Sequence, residues 1–366
     1  MQEYSGAIHI HSTYSDGTGS PEHIAQSANE AGLDFLILTD HNSIQAKTDG
    51  YEKFFNNTMF IVGYEINDIY NKNHYLVFGL DELVGTYKVI ENNEFGCKLS
   101  ALEYVSEIKK KGGVGFIAHP FEKRSSFPEH PPYPWTEWKT DDFNGIEIWN
   151  HMSEWVEGLN EENRINRFIH PLRSIVEPCK EAVKKWDDLN LIRKTPAVGS
   201  VDAHAHKMNL MGFYNVEVFP YKVLFKSIRT HLLVDTKIEF GDNENFQTYK
   251  NSIIYALKQG RSFIANFYNG DAKGFRFFAG YDGKNYQMGD EIKLNDSKKS
   301  VVLNFLLPKE ATIKVMRNGQ CIHEAKGFGG MWDVNEDGCY RIECWREGRA
   351  WIFSNHIRIL KNENNN

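Results

Sequence analysis

Residues 6–17 read Gly6-Ala7-Ile8-His9-Ile10-His11-Ser12-Thr13-Tyr14-Ser15-Asp16-Gly17. On a β-strand, side chains two apart leave the same face, so this spacing aims His9 and His11 together while Ile8 and Ile10 enter packing. Asp16, beside a glycine just past the strand, adds a carboxylate to the two imidazoles, which is half of a metal site. Taken alone, the pattern also describes a polar strand with solvated histidines. The rest of the chain decides between the two.

Ser20-Pro21 has the form of an N-cap followed by proline at the first helical position, and Ile24, Ala25, Ala28 and Ala31 supply a helical stripe that Gly32 ends. Phe35 to Thr39 is then a short apolar run of the kind buried on both faces. This β-α-β pattern repeats. Met59–Tyr64, Tyr75–Gly79, Val114–Ala118, Gly145–Trp149 and Ala197–Val201 read as further buried strands, with a capping box at Ser100-Ala-Leu-Glu103 and a helical stretch around Glu177 to Leu189. About seven buried strands alternating with helices predict a parallel α/β sheet closed into a barrel. The rival, a Rossmann-like open sheet, is weakened because no Gly-x-Gly-x-x-Gly follows any strand.

The pattern changes after about residue 260. Gln247 to Gln259 carries a helical stripe ended by Gly260, and from Phe275 the chain alternates in short runs: Phe275–Tyr281, Val301–Leu307, Thr312–Arg317, Cys339–Trp345 and Ala350–Leu360. Asp282-Gly283, Asn318-Gly319 and Asp337-Gly338 punctuate them as hairpin signals. The expected organisation is a barrel over residues 1–265 and a small antiparallel β-sandwich over 266–366.

Composition narrows the function classes. Of 366 residues, 41% are hydrophobic, enough for two cores, and 42 Lys plus Arg against 49 Asp plus Glu give a net charge of −7 with no basic block. A dedicated nucleic-acid surface is therefore not expected. No apolar run approaches the roughly 20 residues of a membrane span, and the chain opens Met-Gln-Glu-Tyr, so the expected location is the cytoplasm. The five cysteines form no Cys-x-x-Cys pair and are expected to be buried, reduced thiols. Eleven of the 14 histidines lie at or before His206, which assigns the chemistry to the N-terminal part.

The polar residues sit at strand ends, where (β/α) barrels build their active face. His9, His11 and Asp16 end the first strand; Asp40-His41 follows the second; Glu65 closes Phe60–Tyr64; His74 precedes Tyr75; His119 follows Ala118; Asp202 and His204 follow Val201. Burying so many ionisable groups together without a cation would be very costly. Imidazole and carboxylate donors without thiolate suit Zn²⁺, Mn²⁺ or Fe²⁺. Nine donors are more than two ions need, so three ions with Glu65 bridging two of them are expected.

His9-x-His11 with Ser15-Asp16-Gly17, Thr39-Asp40-His41, Gly63-x-Glu65, Ala118-His119-Pro120 and Asp202-Ala203-His204 together resemble the ordered motifs of the PHP (polymerase and histidinol phosphatase) superfamily. The resemblance implies a distorted (β/α)7 barrel with two or three divalent ions, usually hydrolysing phosphate esters. It would give one ion to His9, His11, Glu65 and Asp202, a second to Glu65, His74 and His119, and a third to Asp16, His41 and His204. His74 is carried over on an unconstrained loop, Asn71-Lys72-Asn73. Gly145-Ile-Glu-Ile-Trp149-Asn150, Ala256–Phe263 and Ser354-Asn355-His356-Ile357 further resemble the CehA/McbA-like branch, in which a β-sandwich follows the barrel and some members cleave carbamate or carboxyl esters. The branch's usual Ser-Asn-Pro is changed at His356, a loop change without catalytic weight.

The function expected from these residues is that of a metal-dependent hydrolase, a phosphoesterase acting on a small phosphorylated metabolite or nucleotide. Glu65, Asp202 and His204 are the catalytic candidates, and Lys123, Arg124, His206 and Lys207 the candidate phosphate contacts. A carbamate or carboxyl ester hydrolase is the alternative, and a non-catalytic binding protein a third reading that the full ligand set opposes. Phe121, Phe127, Tyr133, Trp135 and Trp138 make the loop after His119 aromatic, fit to stack a nucleobase or aryl ester or to fold as a lid.

Overall fold

The first strand, Gln2–Ile8, pairs in parallel with Phe35–Leu38, and that strand with Thr58–Val62. Helix Pro21–Ala31 lies between the first two; the Ser20 hydroxyl accepts from the His23 N–H, and Gly32 ends the helix at φ 70°. The computed structural model describes residues 1–90, 94–125, 131–210, 214–295 and 300–361, with the backbone alone at 207–210 and 214–216.

After Gly63 the pattern departs from the expected all-parallel order. Tyr64–Ile66 pairs antiparallel with Tyr75–Phe78, which pairs antiparallel with Val114–Ile117. The link from Asn67 to His74 is too short for the dozen or more residues that a parallel crossover requires, so the chain must double back. Parallel pairing resumes through Gly145–Asn150 to Ala197–Ser200. From there the Val201 and Ala203 amides donate to the Ile8 and His9 carbonyls, and the His11 amide donates to the Ala203 carbonyl at 2.9 Å. The hydrogen-bonded path thus returns to its first strand.

Because Tyr75–Phe78 is reversed, its N-terminal neighbour His74 lies at the same end as the residues that follow the parallel strands. The preceding loop is pinned, contrary to the expectation of an unconstrained one. Asp68 accepts from the amides of Tyr70 and Lys72 and from the Asn73 side chain, and the Tyr104 hydroxyl donates to the Asn73 carbonyl.

Ile228–Val234 runs antiparallel to Gln2–Ile8 on one side and to Ser262–Asn266 on the other. Ser262–Asn266 then pairs with Arg349–Ser354, so one sheet continues without a break into the β-rich part. Residues 265 and 266 both lie in that strand. The apolar core of the β-rich part likewise takes in Leu233 and Phe263.

Asp282-Gly283 (φ 50° and 72°) and Asn318-Gly319 (52° and 78°) have the paired left-handed backbones of tight hairpin turns. Glu347-Gly348 (50° and 74°) makes a further hairpin that the sequence reading did not single out. Val301–Leu307 and Thr312–Arg317 are one strand, Val301–Arg317, whose register shifts across Pro308. The expected run Ala350–Leu360 is broken at Asn355-His356. Asn355 leaves the strand to clamp the first half: its Oδ1 accepts from the Ala197 amide at 2.7 Å, and its Nδ2 donates to the Ala197 and Ser262 carbonyls. All five cysteines are free; Cys97, Cys339 and Cys344 are buried as expected, but Cys321 is exposed. No helix among the described residues is long and apolar enough to cross a membrane.

The two parts are also tied by buried charge. On helix Lys180–Ile192, Asp187 accepts from Arg341 Nε at 2.8 Å and Nη2 at 2.9 Å, and stands 2.8 Å from His356 Nε2. Burial pushes the Asp187 carboxyl up, but Arg341 and His356 overrule it and hold the group well below the carboxylate range. A depressed folded-state pKa adds stability above the unfolded value near ~4, and that stability is lost as pH falls through the folded-state value. Asp187→Asn leaves Arg341 buried without its main partner, so it should cost about 3–5 kcal/mol at neutral pH. It should also flatten the acid limb of a melting-temperature profile taken below pH 4, and an acid limb of unchanged slope would contradict the assignment.

Candidate metal centre

The site begins where the first strand stops. Ile8 is the last residue of that strand, and His9 takes a left-handed backbone at φ 64°. The regular alternation expected of Ile8, His9, Ile10 and His11 is therefore broken: Ile8 and Ile10 enter different core clusters. The imidazoles still converge, with ring centroids 5.2 Å apart. Gly17 lets the next loop fold back, because a Cβ there would stand 2.2 Å from the His11 carbonyl oxygen. Buried Asp40 fastens that loop by accepting from the Ser12 amide and from the Ser12 and Ser15 hydroxyls. Asp16 is thereby brought over His11, His41 and His204.

Glu65, 1% exposed, is the centre of the arrangement. Its Oε2 lies 3.1 Å from His9 Nε2 and 3.3 Å from His11 Nε2, and Asp202 Oδ1 lies 3.4 Å and 3.5 Å from the same two nitrogens. Its Oε1 faces the other way, 2.9 Å from His74 Nδ1 and 3.4 Å from His119 Nε2. A third group joins Asp16 Oδ2 to His204 Nε2 at 3.1 Å and to His41 Nε2 at 3.8 Å, with His11 alongside. His41 also reaches Glu65, its Nδ1 standing 3.3 Å from Oε2.

Neighbouring hydrogen bonds fix which ring nitrogen three of the histidines present. His9 donates from Nδ1 to Glu147 at 3.0 Å, His74 donates from Nε2 to the Asn71 side-chain oxygen at 3.1 Å, and His204 donates from Nδ1 to the Asp202 carbonyl at 3.1 Å. Carboxylate or carbonyl partners of this kind hold a metal-binding imidazole in one tautomer and orientation.

The electrostatics suit a cation. Burial pushes the His9 imidazole down, but Asp202, Glu65 and Glu147 overrule it and hold it well above its ordinary value; His119 and His204, also buried, are raised to about 9 by their carboxylates. Burial raises the Glu65 carboxyl, yet His9, His41 and His74 hold it far below the usual range. His11 behaves oppositely: burial, with His204 and His41 beside it, lowers it to about 3. It is a neutral, fully buried imidazole, and neither ring nitrogen has a hydrogen-bond partner. An orphaned donor of this kind is costly unless something binds it. Ligand atoms about 2.0–2.1 Å from a tetrahedral ion stand roughly 3.3–3.4 Å from one another, close to the spacing of the His9, His11, Glu65 and Asp202 atoms. Four groups of donors lie close enough together to hold an ion: His11, Asp16, His41 and His204; His9, Glu65 and His119; His9, His11 and Asp202; and His41, Glu65 and His74.

All nine expected ligands are thus brought together. The candidate phosphate contacts fare differently. Arg124 and His206 line the cavity over the centre, of about 410 Å³, whereas Lys123 is turned away to pair with Glu181. Lys207 begins the strand Lys207–Leu210, but its side chain lies outside the described residues. Of the aromatic loop, Tyr133 stacks on His74 at 5.0 Å, Phe121 and Trp138 pack on each other and Trp135 is buried in the core; Phe127 lies outside the described residues. Sequence reasoning assigned no role to Glu147. Fully buried, it accepts from His9, the His119 amide at 2.6 Å, Asn150 and Ser200. A lone carboxylate inside the otherwise apolar run Gly145–Trp149 was the available signal.

Residues 7–117 match the family model described as PHP domain. An uncharacterized protein of Methanocaldococcus jannaschii, MJ1587, is 27% identical over 127 residues, 31% of this chain and 66% of the relative, so the match spans just under two thirds of that relative's length. Among solved structures, a two-domain protein from Bacteroides vulgatus containing a predicted PHP-like metal-dependent phosphoesterase aligns over 97% of this chain and 95% of its own, at 14% identity and a TM-score of 0.44. The lesion-specific endonuclease EndoQ of Pyrococcus furiosus aligns over 70% of this chain and 56% of its own, at 13% identity and a TM-score of 0.39.

Elemental analysis of purified protein should find fewer ions per chain in Glu65→Ala and His9→Ala than in wild type, and equal content in all three would refute the ligand assignment. Glu147→Gln, which touches the ligands without joining them, should keep the fold and weaken metal binding about 10–100-fold in a chelator competition.

Proposed function

We propose that this protein is a metal-dependent hydrolase, and specifically a phosphoesterase acting on a small phosphorylated molecule. We propose further that its strands form the distorted (β/α)7 barrel of the CehA/McbA-like branch, with residues 1–265 as the catalytic unit and 266–366 as a β-sandwich accessory domain. The observation that carries the activity is the division of Glu65, one oxygen toward His9, His11 and His41 and the other toward His74 and His119. A carboxylate shared in this way between two donor groups is how adjacent ions are held in place.

On this reading the first ion would be held by His9, His11, Glu65 and Asp202, the second by Glu65, His74 and His119, and the third by Asp16, His41 and His204, each being Zn²⁺, Mn²⁺ or Fe²⁺. Ions bound there supply Lewis acidity, which polarises the ester and makes water a competent nucleophile near neutral pH. The chain's own groups confine the substrate to that point. Asp202 and His204, the catalytic candidates beside Glu65, face the cavity, and Arg124 on its rim carries a guanidinium suited to phosphoryl oxygens. Asn150 donates to Asp202 Oδ2 at 3.2 Å, which leaves Oδ1 turned to the centre.

A second reading, hydrolysis of a carbamate or carboxyl ester, is favoured by one observation: one side of the cavity lining beyond the imidazole and carboxylate cluster is apolar. A carbonyl needs polarisation of a single oxygen and no clamp for spread charge. The two are separated by assaying p-nitrophenyl phosphate, bis-p-nitrophenyl phosphate and a naphthyl carbamate with Mn²⁺ and with Zn²⁺. The phosphomonoester should be turned over fastest, and EDTA should abolish the activity. Absence of turnover on all three substrates, with bound metal verified, would sink the hydrolase proposal; turnover of the carbamate alone would select the second reading.

A further inference from the structure

The cavity over the ligand cluster has two unlike ends. One carries the imidazoles and carboxylates of the centre. The other is built by helices His151–Glu157 and Arg164–Ile169 and by Phe219, and presents Met152, Trp155, Val156, Leu159, Phe168 and Phe219. The three rings form one unit: Trp155 stands edge-on to Phe219 at 4.6 Å and to Phe168 at 4.9 Å, and the two phenyl planes are parallel within 7°. The indole N–H of Trp155 is already used, donating to the Arg167 carbonyl at 3.1 Å. This wall therefore offers no free donor or acceptor among its named side chains.

Cationic recognition is equally limited. Arg124 is the one Lys or Arg side chain among the described residues that line the cavity, and it is already engaged: Nε and Nη2 both donate to Glu122, and the guanidinium lies 4.7 Å over the Tyr133 ring. A nucleotide or sugar phosphate brings several hydroxyls and ring nitrogens that would lose water against the wall with no partner among its named side chains, and a second phosphate would find no clamp among the described side chains. A planar or branched hydrocarbon loses nothing there and gains dispersion and ring contacts.

We infer that the substrate is a phosphate monoester of an uncharged, hydrophobic alcohol, aryl or branched alkyl, whose alcohol part rests on the Trp155–Phe168–Phe219 wall while its single phosphate reaches the metal centre. The phosphate half rests on the hydrolase reading given above; the alcohol half rests on the wall alone.

The test separates the two halves. Calorimetric titration of 1-naphthol into metal-loaded protein should show binding, and adenosine should show none. Phe168→Asp, at a position 38% exposed and so tolerant of change, should weaken naphthol at least about tenfold, and Met152→Gln, of similar size, should weaken it in the same direction. Adenosine binding as tightly as naphthol, or naphthol binding unchanged in both variants, would overturn the alcohol half. In turnover assays kcat/KM for 1-naphthyl phosphate should exceed that for AMP by about 100-fold or more; equal values would likewise overturn it. No turnover of either ester, with naphthol still bound at the wall, would overturn the phosphate half and uphold the alcohol half.

Discussion

A carboxylate removed from water needs its charge met from close by, and the groups nearest Glu65 are imidazoles. His9, His11, His41, His74 and His119 all reach one of its two oxygens. Those histidines come from the ends of four strands, His9 and His11 from the same one, so the carboxylate sits where the ends converge. The backbone bears the strain: His9, His119 and Asp202 have φ of 64°, 25° and 51°. Non-glycine residues hold such conformations at a cost of about 1–3 kcal/mol each, and only when the surroundings leave no alternative. The surroundings here are the paired strands behind each residue and the polar mesh in front of it.

Much of this was legible in the sequence because metal chemistry uses few residue types, and those types stand out after an apolar run. Thr39-Asp40-His41 and Ala118-His119 announce themselves in that way. What was hidden is hidden for physical reasons. The reversal of Tyr75–Phe78 follows from a loop length, and a strand's own composition carries no direction. Glu147 looks like one more charge until its strand is known to be buried on both faces. Asp40 reads as half of a motif, while its work is to hold the loop that aims Asp16. The apolar wall was least legible of all, since Met152, Trp155 and Phe168 have no chemical signature and meet Phe219 only through the fold.

The β-rich part is joined to this centre through contacts that are themselves buried and polar. Asn355 takes the place of a backbone partner for Ala197, the first residue of the strand Ala197–Ser200 that leads to Asp202. Asp187, on the helix that precedes that strand, is held by Arg341 and His356. His356, where the sequence departs from the related pattern, is therefore a packing and pairing residue, set edge-on against Trp186 at 4.3 Å. The Asn355 contacts lie at one end of Ala197–Ser200, and Asp202 and His204 lie just past the other, so the two parts share one strand.

The pairing of Ser262–Asn266 with Arg349–Ser354 also sets an order of events in time. During synthesis Ser262–Asn266 can dock on Ile228–Val234 as soon as it is made, but its other edge stays open until residues roughly 80 positions later have been added, a delay of about 4–16 s at ~5–20 residues per second. For that interval the nascent sheet exposes unpaired amides and carbonyls on the strand carrying Phe263 and Ile264, which is the kind of edge that recruits other chains. The rate of translation through residues 267–354, and chaperone cover over that stretch, thus bear on how long that edge stays open in a protein whose clustered imidazoles and carboxylates all lie before residue 207.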